Sequence, residues 1–301
     1  MKTILITGAT GLIGSKLSKE CIEDGMTVHY LTTNKNKIET KENYKGFYWS
    51  PYEGEIDEKA FDGVSAIINL VGATIANRWT ERYKKVILDS RVKTANLILE
   101  TLKNIDHSVN HFISSSGVSV YPHSETKLYT EESTEVDNSF LAQVVVAWEA
   151  AADQFISLGI DVVKVRTGVV FSGEDGALPK LVKPVKMGMG APLGNGKQWL
   201  SWIHIDDIVG VYMHIMKHKL EGVYNAVAPT PINNRKITKL IAHKLDMPML
   251  LPNVPAFMLK LLLGEMAVLV LEGQIVSPKK IEEQGYKFAF FNVESALKDL
   301  L

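Results

Sequence analysis

Hydrophobic positions in the first half of the chain fall into short, β-branched-rich runs. Lys2–Thr7 is the first, followed by Thr27–Leu31, Ser65–Val71, His111–Ser115 and Asp161–Arg166. Runs of this length and composition read as buried strands. Between them, residues 11–24, 80–104 and 139–158 carry helical patterns. The alternation predicts crossover units and hence an α/β fold, a doubly wound parallel sheet with helices on both faces.

The pattern changes over residues 172–200, where six glycines accompany Pro179, Pro184 and Pro192. Such a composition marks chain that has left the sheet. Asp206 and Asp207 are placed to cap a helix running through Ile208 to Met216. Beyond Pro229, short helical stretches separated by Pro252, Pro255 and Pro278 predict a small, mostly helical lobe. The expected division is a sheet domain over residues 1–171, rejoined by 201–228, with 172–200 and 229–301 forming the lobe. The longest apolar stretch, Phe257–Leu271, is broken by Lys260, Gly264 and Glu265 and is shorter than the roughly 20 residues of a membrane span. It is expected to form a buried or subunit-contact helix pair.

At 301 residues, 46% hydrophobic and 22% charged, the chain can bury a large core. A net charge of -1, with no basic cluster interleaved with aromatics, argues against a nucleic-acid surface. The single cysteine, Cys21, excludes an internal disulfide, and the eight histidines show no paired ligand spacing, so no metal is expected. The sequence enters a strand at once, without a leader pattern, and the expected location is cytoplasmic.

Chemistry enters with the turn after the first run. Gly8-Ala9-Thr10-Gly11-Leu12-Ile13-Gly14 has GxxGxxG spacing and leads straight into a helical pattern. Glycines so spaced let the chain turn sharply, bring backbone close to a pyrophosphate and pack the helix tightly on the strand. Free N–H groups at the helix start would take the phosphates. Gly8, Thr10, Gly11, Leu12, Ile13 and Gly14 are therefore expected to bind a dinucleotide. The motif is weak alone; the strand before it and the helix after it supply the context.

The residues after the second strand select the cofactor. Thr32, Thr33, Asn34 and Lys35, with Lys37 close by, present no acid before Glu39. A carboxylate about 4 Å from a ribose 2′-phosphate would repel it by roughly 1–4 kcal/mol, whereas hydroxyls, an amide and lysines would welcome it. NADP(H) is expected in preference to NAD(H). Asn69-Leu70-Val71-Gly72-Ala73 closes the fourth strand, where Gly72 would let the nicotinamide half approach the carboxyl edge of the sheet.

Thr7–Gly14, Asn69–Ala73, Ser114-Ser115-Ser116 and Trp202–Asp207 resemble the extended short-chain dehydrogenase/reductases, the NAD(P)-dependent epimerase/dehydratase group. Arg78-Trp79-Thr80, Ser90-Arg91, Trp148-Glu149, Asn225–Pro229 and Gly264-Glu265 are similar to its atypical "epimerase family protein" branch. The resemblance spans essentially the whole chain and implies an NADP-type Rossmann domain with a small C-terminal substrate lobe. It also exposes a loss. The parent superfamily handles protons with a serine and a YxxxK pair on a helix, but here Val145 stands at the tyrosine position and Glu149 at the lysine position.

Ser116 aligns with the superfamily's serine, with Ser114 among its neighbours. Tyr121 follows in the same loop and is expected near the nicotinamide face. Glu149 is expected either to hold the nicotinamide ribose or to serve as a base. Arg166 and Gly168 end the strand that lines the pocket in extended members, and Arg166 would pair with an anionic substrate or a buried acid. Arg78, Trp79 and Arg91 are further cleft candidates, as are Trp199 and Trp202, while His204 is expected to hold the lobe connection. Two functions stand. One is an NADP(H)-dependent oxidoreductase or epimerase-like enzyme acting on a small polar substrate; the other is a sensor or scaffold that binds NADP without turnover. The expected assembly is a monomer, or a homodimer formed through the helices at 80–104 and 139–158.

Overall fold

The computed structural model describes residues 2–301. Its central sheet begins with β1 (Thr3–Thr7), β2 (Thr27–Thr32), β3 (Tyr44–Ser50), β4 (Val64–Asn69), β5 (His111–Gly117) and β6 (Asp161–Thr167). Two short strands, β7 (Val169–Phe171) and β8 (Trp202–His204), pair with each other outside it, and β9 (Gly222–Ala226) returns to its edge. The order is β9-β6-β5-β4-β1-β2-β3, with every neighbouring pair parallel. The order reverses between β1 and β4, and open α/β sheets hold ligands in the crevice at such a reversal.

Period-two alternation builds the layers. Ile4 and Ile6 point into one core with Val28, Ile68 and Ile113, while Leu5 joins Ile67 and Phe112 in the other. The first core is closed by α1 (Leu12–Glu23), and the second by α2 (Glu81–Asn104) and α3 (Phe140–Asp153). Thr80 caps α2 by accepting from Tyr83 N, and Ser139 caps α3 by accepting from Ala142 N. After α4 (Ala177–Lys186), α5 (Ile205–His218) packs beside α1 on the first face. A third core joins Phe171, Leu178 and Trp202 to Ile237 on α6 (Asn234–Lys244) and to Val293 and Leu297 near the C-terminus.

Several sequence expectations shift. The third strand, β3, was not among the apolar runs because its Tyr-Lys-Gly-Phe-Tyr-Trp-Ser composition belongs to a half-covered strand near the sheet edge. β4 stops at Asn69, so Leu70–Ala73 lie in the loop beyond it. Asp206 and Asp207 do not cap α5. His204 does, its Nδ1 accepting from Asp206 N at 3.1 Å. The stretch from Phe257 is buried only at Leu259 and Ala267: in α7 (Ala256–Leu263), Phe257, Leu261 and Leu262 are 71%, 84% and 74% exposed. Among the described residues no helix is long and apolar enough to cross a membrane.

Candidate active site

The β1–α1 turn is built around two glycines. Gly8 has φ +71°, a left-handed conformation that disfavours a side chain, and Gly11 N donates to Gly8 O at 2.9 Å to close the turn. A Cβ on Gly14 would lie under 3.0 Å from Gly8 O and Ala9 Cα, so helix and turn meet only because it is absent. α1 begins with Gly11 as N-cap, has no side-chain cap, and carries no acid in its first turn. Its first N–H groups, at Leu12, Ile13 and Gly14, are therefore free for an anion in a field that favours one.

The neighbouring crevice is fixed by Thr7. Its hydroxyl donates to Asn69 Oδ1 at 2.7 Å and accepts from Leu70 N and Val71 N, both at 3.2 Å. Asn69 Nδ2 is buried and has no partner among the described residues. An orphaned donor, a glycine cradle and an uncapped helix start at one switch point suit the diphosphate of a dinucleotide.

Beyond β2, Thr32 is buried and its hydroxyl accepts from Asn34 N. Asn34 caps the turn Lys35–Lys37, and Lys35 Nζ sits 4.5 Å above the Tyr48 ring. Thr33, Asn34, Lys35 and Lys37 are all exposed, which leaves their polar groups open to a ligand.

Two glycines expected at the cofactor also lie close to protein neighbours. A Cβ on Gly72 would come within 2.9 Å of Arg91 Cζ, and one on Gly168 would strike the Ser201 carbonyl. The guanidinium of Arg91 lies against Gly72.

At the carboxyl end of β5 the chain brings together Ser116, Glu149, Arg166 and Tyr121, which sequence reasoning had picked out separately. Ser116 Oγ donates to Glu149 Oε1 at 2.6 Å. Arg166 forks onto the same carboxylate, Nε to Oε1 at 2.8 Å and Nη2 to Oε2 at 2.9 Å. Arg166 Nη1 donates to Tyr121 Oη at 2.9 Å, and that hydroxyl donates onward to Asn225 Oδ1 at 2.8 Å. Asn225 N in turn donates to Glu131 Oε1 at 2.7 Å. Ser114 is buried beside them, its hydroxyl donating to Ser115 O. Val145 is buried next to Gly117, an apolar side chain where the parent mechanism has its phenol.

This geometry decides the chemistry of each group. Burial alone would raise the Glu149 pKa, but the hydrogen bonds and charge of Arg166, with the bond from Ser116, outweigh it and hold the carboxyl below its ordinary value. Glu149 is thus held as an anion, a weaker base than an ordinary glutamate. Protonating even an ordinary glutamate at pH 7 costs about 3–4 kcal/mol. Burial raises the Tyr121 pKa against the opposing pull of Arg166, so the phenol stays neutral. At 2% exposure it is a closed member of the network and does not line an open nicotinamide face. Arg166 pairs with a buried acid, which resolves the alternative the sequence left open.

Most of the other candidates are held by contacts within the protein. His204 is buried, stacks on Phe290 at 3.6 Å and lies 3.3 Å from Asp299. Burial lowers its pKa despite nearby Asp206 and Asp299. Asp207 accepts from Ala289 N, Phe290 N and Tyr286 Oη, which pins the C-terminal segment onto α5. Trp202 is buried and donates to Thr230 O, and Trp199 donates to Glu125 O. Trp79 packs edge-on against Phe140, and Arg78 is exposed. Glu131 was missed, and Asn225 entered only as part of a family-typical segment with no role; only the fold brings them to Tyr121.

A parallel sheet in this order, with a glycine-lined, uncapped helix at its switch point, defines a doubly wound α/β protein with a Rossmann fold. The chain belongs to the NAD dependent epimerase/dehydratase family, whose model matches residues 4–227. Residues 254–300 match a domain of unknown function (DUF1731). The epimerase family protein YfhF of Bacillus subtilis is 34% identical over 99% of this chain and 97% of its own length. The epimerase family protein SSP1921 of Staphylococcus saprophyticus is 35% identical over the full length of both. Among solved structures, human epimerase family protein SDR39U1 (isoform 2), crystallised with NADPH, is similar with a TM-score of 0.84 and 29% identity, covering 99% of this chain and 98% of that one. UDP-glucuronic acid 4-epimerase of Bacillus cereus shares the fold at a TM-score of 0.79 and 17% identity.

Proposed function

We propose that this protein binds NADP(H) across the β1–β4 crevice and is an oxidoreductase or epimerase-like enzyme acting on a small polar substrate. Residues 1–171 and 201–228 would form the Rossmann domain, with 172–200 and 229–301 on the substrate side. The observation that carries the cofactor is the uncapped start of α1 behind the Gly8–Gly14 cradle. The NADPH-bound human relative supports the same reading. Leu12, Ile13 and Gly14 would hold the diphosphate through backbone N–H groups, and Thr33, Asn34 and Lys35 would meet the 2′-phosphate.

When bound, NADP(H) supplies or accepts a hydride. Ser116 positions the reacting oxygen, and its orientation sets what that oxygen can be. Because Glu149 takes its proton, Ser116 turns lone pairs toward a ligand and best meets a hydroxyl donor. Arg166 keeps Glu149 ionised and a weak base, and burial keeps the Tyr121 phenol a weak acid, so water would be the partner for the substrate's proton. Stopped-flow reduction of bound NADP by a panel of small hydroxyl compounds, with oxidation of bound NADPH by the matching carbonyls, tests the enzyme reading. Turnover on a small polar alcohol–carbonyl pair supports it, and no turnover across a broad panel counts against it.

A second reading, a sensor or scaffold that binds NADP without turnover, is favoured by the closure of the network, in which Ser116 and Tyr121 both give their protons to protein acceptors. It predicts that NADPH raises the melting temperature while no substrate is consumed.

A further inference from the structure

Arg91 is a cation without a counter-ion. It lies on α2, is half-buried, and reaches the loop after β4. Nη1 donates to Ile87 O at 2.9 Å and to Ala73 O at 3.3 Å, and the guanidinium carbon sits 4.8 Å from the centroid of the Trp148 ring. Gly72, itself exposed, lies against the guanidinium and has no side chain to cover it. Among the described residues no carboxylate pairs with Arg91, and neither Nε nor Nη2 has an acceptor. Arg166, the other arginine of this edge, is fully paired with Glu149 and Tyr121. A second donor nearby, the indole N–H of Trp148, is 93% buried with its ring and also lacks an acceptor. Desolvation lowers the Arg91 pKa to about 10, which still leaves it charged at neutral pH.

Taking a charge out of water without a partner is costly unless something supplies the opposite charge. A guanidinium fork with two free nitrogens matches a planar or tetrahedral oxyanion. We propose that Arg91 is an oxyanion-binding residue, its guanidinium against Gly72 pairing with a phosphate or carboxylate of the ligand that lies along the carboxyl edge of the sheet. This deepens the dinucleotide reading and rests on it for the course of the ligand over Gly72. Two sources carry such a group: the diphosphate of the dinucleotide, and an anionic substrate bound beside it.

The test compares wild type with Arg91→Met and Arg91→Lys. NADPH affinity is measured by fluorescence on the free protein, and inorganic phosphate binding by calorimetry on the NADPH-loaded protein. Weakening of NADPH at least tenfold in Arg91→Met, and less in Arg91→Lys, supports the proposal with the dinucleotide as source. Unchanged NADPH affinity with loss of phosphate binding supports it with the substrate as source. Unchanged NADPH affinity, with phosphate binding either unchanged or absent from wild type, overturns it. If wild type binds no NADPH, the cofactor reading fails by itself, and inorganic pyrophosphate on the free protein decides Arg91: binding lost in Arg91→Met supports the proposal, and equal or no binding overturns it. The free Arg91→Met protein is expected to melt no lower than wild type, since it loses an unpaired cation. Should it fail to fold, Arg91→Gln and Arg91→Lys carry the same comparisons.

Discussion

Glu149 and Arg166 face each other through two parallel hydrogen bonds, each below 3 Å, at the helix and strand ends where the parent mechanism has its lysine and pocket wall. Both side chains are only 12% exposed. Removing one partner from such a pair leaves a buried charge uncompensated, at a cost of about 3–5 kcal/mol. Glu149→Ala is expected to destabilise by this order in urea unfolding, and Glu149→Met with Arg166→Met together by much less. A double-mutant cycle reads the coupling directly.

The same pair sets a pH dependence. The folded pKa of Glu149 lies below the unfolded value, so its contribution is present at neutral pH and is lost as pH falls through the folded value. The stability difference between wild type and Glu149→Gln should be full near pH 7 and shrink below about pH 4, where unfolded glutamates take up protons. A difference that grows on acidification would contradict the assignment.

Restoring the absent residues should not restore the parent chemistry. Val145→Tyr with Glu149→Lys puts a second cation beside Arg166 and strips Ser116 of its acceptor. The double variant is expected to melt lower than wild type and to gain no dehydrogenase activity on sugar nucleotides. Efficient gain of activity would show that the network is dispensable.

Asp207 offers a test remote from the site. Its carboxylate accepts from two backbone N–H groups and a phenol on the C-terminal segment. Asp207→Ala leaves these donors unpaired, at about 1–3 kcal/mol each. Proteolysis of residues 286–301 should accelerate at unchanged NADPH affinity.

Much of the fold was legible because its signals are local. Ile4, Leu5 and Ile6 announce a strand buried on both faces, and Gly8, Gly11 and Gly14 announce the turn that follows. β3 escaped because Tyr44–Ser50 is half-covered and mixed in polarity. At the site, residue types were legible and their partnerships were not. Arg166 is 17 positions from Glu149, Tyr121 is 104 from Asn225, and no periodicity encodes those distances. Gly72 and Gly168 show the same limit: a glycine signals close approach without saying to what, and among the protein's own groups Arg91 and Ser201 approach them.

The central claim is that the α1 start holds the diphosphate of NADP(H), and a thermal-shift titration with NADPH and NADH tests it most directly. A ligand bound only by the folded state at a hundredfold excess over Kd stabilises by about 2.7 kcal/mol, enough to raise the midpoint by several degrees. NADPH is expected to do so, NADH to do less, and Gly14→Ala to abolish the NADPH shift. Midpoints unmoved by either coenzyme in the wild-type protein would contradict the account.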